Sequence, residues 1–395
     1  MAEKITNSNC GPKMPRVALL VATSTSWGRR IVTGINQFIR KHDPWHVFIE
    51  ARSESEILRL PANWQGDGII ARINNQSMAK DISSHDIPVV NVSRVCPRGY
   101  GFPHLTSDIH KTAELAFEHF RERGFRNFGY FSLIGINYVA DQQRAFAAVL
   151  KKSGYHCRVY KIKASRGGIA DWNASIPALA KWLNSLPKPI GILTWNAGSG
   201  RMVIHGCQQA GLHVPEEVAV LSGADDDLLC KVSNIPLSGI LGANEQIGYE
   251  AAELLDRLMR GQPSMRQPKF IAPIGVTARR STDTLAIQEK QLVSALRYIE
   301  NHSSDPIQVQ DLVNHIDISR RSLEKLFLEV LGRTPAEEIR RVHFERAKSL
   351  LLESDMDIPQ VANSSGFGSS EYMAYVFKKR INVSPFKFRN QIRNQ

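Results

Sequence analysis

A chain of 395 residues with 43% hydrophobic content is long enough for two or three domains, each with its own core. Its longest early apolar run, residues 17–22, is far short of the roughly 18 residues that span a bilayer, and no small-residue cleavage pattern follows. Neither a membrane span nor a secretion leader is therefore expected, and the expectation is a cytoplasmic protein with a flexible tail at residues 1–14. The net charge of +12 admits a nucleic-acid partner without locating its site, and five scattered cysteines (Cys10, Cys96, Cys157, Cys207, Cys230) argue against a disulfide framework or a zinc site.

From residue 16 to about 274, short apolar β-branched runs alternate with amphipathic stretches. Strands are expected at 17–21, 47–50, 68–73, 88–92, 128–132, 190–194 and 218–222, and helices at 31–40, 109–123, 142–153, 177–184 and 247–260. Such alternation builds parallel sheets with helices on both faces, and a region of this length folds more readily as two lobes than as one. The strands stop at Arg279-Arg280-Ser281-Thr282-Asp283, and from residue 288 onward everything reads as helix. The expected fold class is an α/β two-lobed domain at 15–280, a linker at 281–288, and an all-α domain at 289–395 with two helix-turn-helix units.

Those units are visible as an internal duplication. Gly332-Arg333-Thr334-Pro335 returns 50 residues later as Asn382-Val383-Ser384-Pro385, and Leu323 and Phe327 return as Met373 and Phe377. Each copy holds a short helix, a tight turn and a longer helix: 309–315, Asp317 and 319–331, then 358–364, Gly366 and 369–380. In the first long helix Leu323, Leu326, Phe327, Val330 and Leu331 follow the spacing of a buried face, which leaves Arg320, Arg321, Glu324 and Lys325 outward. Ser319 is placed to cap it, its hydroxyl accepting from an otherwise unpaired backbone N–H. In the second, Met373, Val376 and Phe377 face inward, while Ser369, Ser370, Glu371, Tyr375, Lys378 and Lys379 face out. Between the copies Thr334-Pro335-Ala336-Glu337 is a capping box with proline at the first helical position. It opens a rod to about residue 352, ~27 Å long at about 1.5 Å per residue, near the roughly 34 Å between successive major grooves on one face of DNA.

Charge alone is a poor guide here, because the region from residue 285 carries 16 Lys+Arg against 14 Asp+Glu. A local stripe, Lys378, Lys379, Arg380, Lys387, Arg389 and Arg393, is opposed only by Glu371. Long cationic and short hydroxyl side chains near a helix N-terminus suit a helix in the major groove flanked by phosphates. The expected contacts to double-stranded DNA are Ser319, Arg320, Arg321, Lys325, Ser369, Ser370, Tyr375, Lys378 and Lys379. A helical bundle that binds another protein is the plainer alternative, but it has no need of duplicated spacing with basic outward faces.

The segments Ala347-Lys-Ser-Leu-Leu-Leu352, Ile358-x-x-Val-Ala362, Gly366-Phe367, Tyr372, Phe377-Lys-Lys379 and Ser384-Pro385-x-x-x-Arg389 resemble the AraC/XylS family of bacterial transcription regulators. The likeness covers residues 292–393, with departures at Val313, Asp317, Glu371, Met373 and Asn382. It implies two DNA-reading helices, with RNA polymerase as a further partner if the protein activates.

In open α/β sheets ligands bind beyond the carboxyl ends of strands. Those ends carry Trp27 and Arg29, Arg72 and Asn74, Arg94, Trp195 and Asn196, and Asp225, with Arg144 on a following helix. An indole with planar forks of Arg, Asn and Asp can stack on a sugar ring and bond its vicinal hydroxyls in pairs. Each residue alone has a plainer reading: surface arginines for Arg29, Arg72 and Arg94, a core aromatic for Trp27, a helix salt bridge for Arg144. The region also resembles the LacI and periplasmic sugar-binding type, through Val214-Pro-Glu-Glu-Val-Ala-Val220, Gly223-Ala-Asp225-Asp226, Ile235-Pro236-Leu237-Ser238 and Ile247-Gly248-x-x-Ala251-Ala252. That likeness implies a small sugar between the lobes and a homodimer. The order of parts, this sensor ahead of this reader, together with Trp64-x-Gly-Asp67-Gly68-Ile69-Ile70, resembles xylose-responsive regulators, which implies D-xylose as ligand and pentose uptake and catabolism genes as targets.

Enzyme readings are weaker. Asp225-Asp226-Asp227 are adjacent and cannot all converge on one ion, so no metal is expected. Gly198-Ser199-Gly200 lacks the third glycine of a dinucleotide loop, Val203 standing there, so no cofactor is expected. A sugar-processing enzyme with a DNA-binding tail stands as the alternative.

Overall fold

The computed structural model describes residues 14–51, 58–61, 63–95, 99–163, 172–263, 267–284 and 290–393. Residues 1–13 of the expected tail, linker residues 285–288, Cys10, Cys96 and the side chain of Arg393 lie outside the described residues.

In the first lobe β1 (Arg16–Leu20) runs between β2 (His46–Ile49) and β3 (Gly68–Ala71), with β4 (Val89–Asn91) beyond β3, all parallel, Val17 pairing with Val47 on one side and Gly68 on the other. β1 from Val17 onward and all of β3 are buried, as continuous aliphatic runs inside a parallel sheet must be, while β2 lies at the exposed edge. α1 (Ser26–Lys41) covers this sheet with Ile31, Ile35 and Phe38, and α2 (Gln76–Ser83) covers it with Met78, Ala79 and Ile82.

At β5 (Leu105–Ser107) the chain passes into the second lobe and runs through α3 (Ile109–Glu122), β6 (Asn127–Ile134), α4 (Asn137–Lys152), β7 (Cys157–Lys163), α5 (Trp172–Ser185) and β8 (Ile190–Thr194). It continues through α6 (Ala197–Gln209), β9 (Val218–Ser222), α7 (Asp227–Lys231) and β10 (Ser238–Leu241). α8 (Asn244–Met259) returns to the first lobe against α1, so closely that a Cβ on Gly34 would meet the Glu245 carbonyl at 1.9 Å. β11 (Lys269–Ile271) pairs with β5, and β12 (Gly275–Thr277) closes the second sheet, of order β12-β10-β9-β8-β6-β7, as its antiparallel member. The chain therefore crosses between lobes three times, after β5, after β10 and after β11.

A 3₁₀ turn, Arg280–Thr282, ends this region. Ser281 and Thr282, expected to open the linker, are fully buried against the second lobe. Ser281 donates to the Val220 carbonyl at 2.6 Å and its own N–H donates to the Pro236 carbonyl at 2.9 Å. Polar residues in a short Arg-Ser-Thr run read as a linker by composition, but their hydroxyls satisfy buried strand groups.

The helical region comprises α9 (Lys290–Asn301), α10 (Val309–Ile316), α11 (Arg320–Leu331), α12 (Pro335–Glu353), α13 (Ile358–Ser364), α14 (Ser370–Ile381) and α15 (Pro385–Arg393). Leu323, Phe327 and Leu331 centre one small core and Met373, Val376 and Phe377 another, while α12 supplies Ile339 to the first and Phe344, Ala347 and Leu351 to the second. The capping box on α12 is formed in full, Thr334 and Glu337 exchanging side-chain and backbone bonds. Each long helix ends on a left-handed residue, Gly332 at φ 69° and Asn382 at φ 57°, and the two units turn at Asp317 (φ 52°) and Gly366 (φ 74°).

Candidate functional site

Two surfaces collect the chemistry. The first lies where the lobes face each other, at the carboxyl ends of β1, β3, β6, β8 and β9. Trp27 enters from the first turn of α1, whose N-cap Thr25 accepts from the Gly28 N–H at 3.0 Å. Arg72 follows β3, and its guanidinium sits 4.9 Å from the centre of the Trp27 ring and 5.7 Å from that of Tyr138. Tyr138 belongs to the first turn of α4 in the opposite lobe and meets Trp195, just beyond β8, edge to face at 5.8 Å. A cation and three aromatics thus bridge the lobes. The Trp195 indole N–H is buried without a hydrogen-bond partner among the described residues, and a donor so placed costs stability unless something occupies it. Tyr138 was not among the residues read from sequence; its signal is positional, one residue into the helix after β6, matching Trp27 after β1.

The other residues expected here have local duties. Arg29 is exposed and donates Nη1 to the Thr23 and Ser24 carbonyls, at 3.1 and 2.8 Å, bracing the β1–α1 loop. Asn74 is exposed and accepts from Asn75 Nδ2 at 2.6 Å. Arg94 lies over Phe270 at 5.3 Å, near the crossover strands and away from the Trp27–Trp195 group in its contacts. Asn196 caps α6, accepting from the Ser199 N–H at 2.9 Å. Arg144 pairs with Asp141 three residues earlier on α4, the helix salt bridge that was its plainer reading. Asp225 is buried and ion-paired, Oδ1 lying 2.7 Å from Arg279 Nη1, with the Thr277 hydroxyl donating to Oδ2 at 3.2 Å. Ser26 of the first lobe donates to the Asp225 carbonyl at 3.5 Å, so this aspartate also marks a point where the lobes touch.

The second surface is the outer face of α11 and α14. Ser319 and Ser369 spend a lone pair as N-caps, accepting from the Ser322 and Tyr372 N–H groups at 3.1 Å in each case. On α11, Arg320 pairs with Glu324 at 3.1 Å and Lys325 with Glu329 at 3.7 Å, whereas Arg321 is exposed with no partner among the described residues. On α14, Tyr375 and Lys379 line up with Tyr372: the two tyrosine rings stack at 6.4 Å and Lys379 Nζ stands 5.9 Å from the Tyr375 ring. Lys378 is exposed beside them, and Ser370 sits half-buried, donating to Glu371 Oε1 at 3.3 Å. Its own backbone N–H, with the Ser369 and Ser370 hydroxyls, holds the Glu371 carboxyl below its usual range. Tyr372, 44% exposed, is a further residue of this face that pattern reading left out of the contact set.

Comparison with known proteins follows the same division. Residues 16–107 match the family model described as XylR N-terminal domain, residues 117–282 that of the periplasmic binding protein-like domain, and residues 312–391 that of a helix-turn-helix domain. The xylose operon regulatory protein of Escherichia coli strain K12 is 28% identical over 385 residues, spanning 96% of this chain and 97% of that protein. Its counterpart from Haemophilus influenzae is 28% identical over 95% of this chain and 98% of that protein. The solved structure of the xylose-binding transcription activator xylR superposes with a TM-score of 0.62 at 27% identity, covering 96% of this chain and 98% of that one.

Proposed function

Because this chain belongs to the transcription regulators that join a periplasmic-binding-protein-like sensor to an AraC-type helix-turn-helix reader, we propose that a pentose bound between its lobes sets its grip on DNA. D-xylose is the ligand proposed, on the names of the relatives and the chemistry of the cleft. The observation that carries this reading is the Trp27–Arg72–Tyr138–Trp195 group across the lobes, with one indole N–H buried and without a partner among the described residues. Flat aromatic faces stack on a pyranose, and a fixed donor with a guanidinium selects the direction of its hydroxyls. Sugar binding thereby favours one relation of the two lobes over others, and acts through that difference in affinity alone.

The sensor is proposed to run through residue 282 and the reader from 289. Two chains pair as a homodimer in this proposal, so that four long helices meet two half-sites, and the sugar-bound form recruits RNA polymerase to genes of pentose uptake and catabolism from a cytoplasmic location. No described helix is long and apolar enough to cross a membrane. The family is one of regulators, which sets aside the alternative of a sugar-processing enzyme.

Calorimetric titration with D-xylose, L-arabinose, ribose and glucose is the test. D-xylose is expected to bind tightest, Trp195→Phe to weaken it by about tenfold through loss of one buried donor, and Arg72→Ala by more. Failure of every pentose to bind, or wild-type affinity in both variants, sinks the reading.

A further inference from the structure

Among the described residues the sensor and reader share no apolar core, since each buried hydrophobic cluster lies wholly in one or the other. Across space they are joined by charged side chains at the C-terminal end of α3. Glu338, in the first turn of α12 with its side chain 2% exposed, accepts from Arg341 Nε at 3.0 Å and Nη2 at 2.7 Å, and also from Arg333 Nε. The same two arginines reach the sensor. Arg333 Nη2 donates to the Glu122 carbonyl at 3.0 Å, and Arg341 Nη1 lies 3.5 Å from the Glu122 carboxylate. A carboxylate this dry stays ionised only because two guanidinium groups clasp it, and removing one leaves an uncompensated charge.

From this joint hydrogen bonds run back to the cleft. Arg123, the residue after Glu122, donates Nε to the Thr282 carbonyl at 2.9 Å and Nη1 to His119 Nδ1 at 3.1 Å. Since Nδ1 accepts, the proton of neutral His119 is assigned to Nε2, which donates to the Thr282 hydroxyl at 2.9 Å. That hydroxyl lies 2.7 Å from Ser238 Oγ, which accepts from the Arg279 N–H at 2.8 Å and donates to the Arg279 carbonyl at 2.9 Å. The Arg279 guanidinium closes on Asp225, where the lobes touch.

We propose that the joint of Glu122 with Arg333, Glu338 and Arg341 is the element through which the cleft controls the reader, with residues 279–282 carrying the change between them. The inference rests on the reading of the cleft as a sugar site. A ligand or lobe movement that alters the Asp225–Arg279 pair shifts the turn at 280–282, and Thr282 is the shared partner of His119 and Arg123. An interface built from ion pairs instead of interdigitated apolar side chains can undock without exposing a core, which supplies the second state a switch needs. Reciprocity then requires that DNA on the reader change sugar affinity by the same factor.

The test uses the full chain with Glu338→Gln, Arg341→Gln and Glu122→Gln. Hydrogen exchange on the protein free of sugar and DNA reads the joint alone. All three variants are expected to lose protection at 117–123 and at 335–345 together. Loss confined to α12 overturns the proposal. DNA titrations with and without D-xylose read the coupling: the ratio of the two affinities is expected to fall by about tenfold in Arg341→Gln, in a variant that still binds sugar by calorimetry. A wild-type ratio in a variant whose joint has opened overturns it. If the wild type binds no D-xylose, the sugar reading fails, and the exchange arm still decides the joint: loss on both sides supports it, loss on one overturns it.

Discussion

Glu371 stands in the first turn of a helix whose outward face is otherwise basic and aromatic. A carboxylate near DNA phosphates repels them, yet at this position it lies at the positive end of the helix and accepts from Ser370. Its duty is thus to the helix end, and if this face meets DNA as proposed, its charge opposes binding. Glu371→Gln keeps the hydrogen-bonding shape and removes the charge, so binding to specific and random duplexes alike is expected to tighten a few-fold, as read by titration at two salt concentrations. Tighter binding to the specific duplex only would argue instead for a base contact. The cysteines are decided by burial in the opposite sense: the thiols of Cys157, Cys207 and Cys230 are each pushed up to about 12. At pH 8 they carry almost no thiolate and are expected to escape iodoacetamide in the native protein and react in urea, which peptide mass spectrometry distinguishes.

At the scale of elements, the repeat is held in register by the backbone as well as by its cores. Gly332 and Asn382 end α11 and α14 in the same left-handed conformation, and Asp317 and Gly366 turn their units likewise. Asn and Asp tolerate that region through short polar side chains, which is why the departures from glycine at 317 and 382 leave the architecture intact. Gly366 is different in degree, because a Cβ there would stand 2.5 Å from His343 Nε2 and 2.6 Å from the Asp305 carbonyl. Gly366→Ala is expected to cost about 2 kcal/mol or more, against about 1 kcal/mol for Asn382→Ala, in urea melts of the reader's far-ultraviolet signal. The two long helices also differ in what they leave free. α11 pairs Arg320 and Lys325 with its own glutamates and leaves Arg321 open, so Arg321→Ala is expected to relax sequence discrimination. Lys379→Ala is expected to weaken all duplexes and reduce the salt slope by about 1. Equal losses on specific and random DNA in both variants would count against that division.

At the scale of the molecule, the joint between sensor and reader makes stability depend on pH in a stated direction. Salt bridges with Arg341 and Arg333 outweigh burial and hold the Glu338 carboxyl below its usual range, whereas burial raises those of Glu122 and Glu300. His119 is kept neutral by burial, with Arg123 adding in the same direction. A depressed carboxyl stabilises the fold above its unfolded pKa and loses that contribution as pH falls through the folded value; a depressed histidine loses stability as pH falls below its unfolded value of about 6.5. Glu338→Gln is therefore expected to cost about 3 kcal/mol near neutrality and progressively less as pH falls below the ordinary glutamate value of about 4.3, where the unfolded wild-type chain takes up a proton that folded Glu338 does not. Thermal melts of both proteins across that range measure it; a constant difference down to pH 3 would mean that Glu338 is not the ionised centre of the joint.

The alternation of strands and helices, the 50-residue repeat, the capping box at Thr334 and the left-handed turns were all legible from the chain, because hydrophobic period, cap chemistry and positive φ act over a few neighbouring residues. β7 escaped because its half-exposed edge alternates charge with apolar residues and offers no continuous run. What only the tertiary structure decided is which polar groups meet. Arg72 met Tyr138 from the other lobe, Arg29 and Arg144 found partners within a few residues of themselves, and Ser281 and Thr282 sank into the sensor. Arg333 and Arg341, near neighbours of Glu338 in sequence, also reach Glu122, which lies 211 residues before Arg333. A charged side chain is stable in the interior only with a counter-charge beside it, and where that partner comes from a distant segment, as Arg279 does for Asp225 across 54 residues, local sequence carries no record of it.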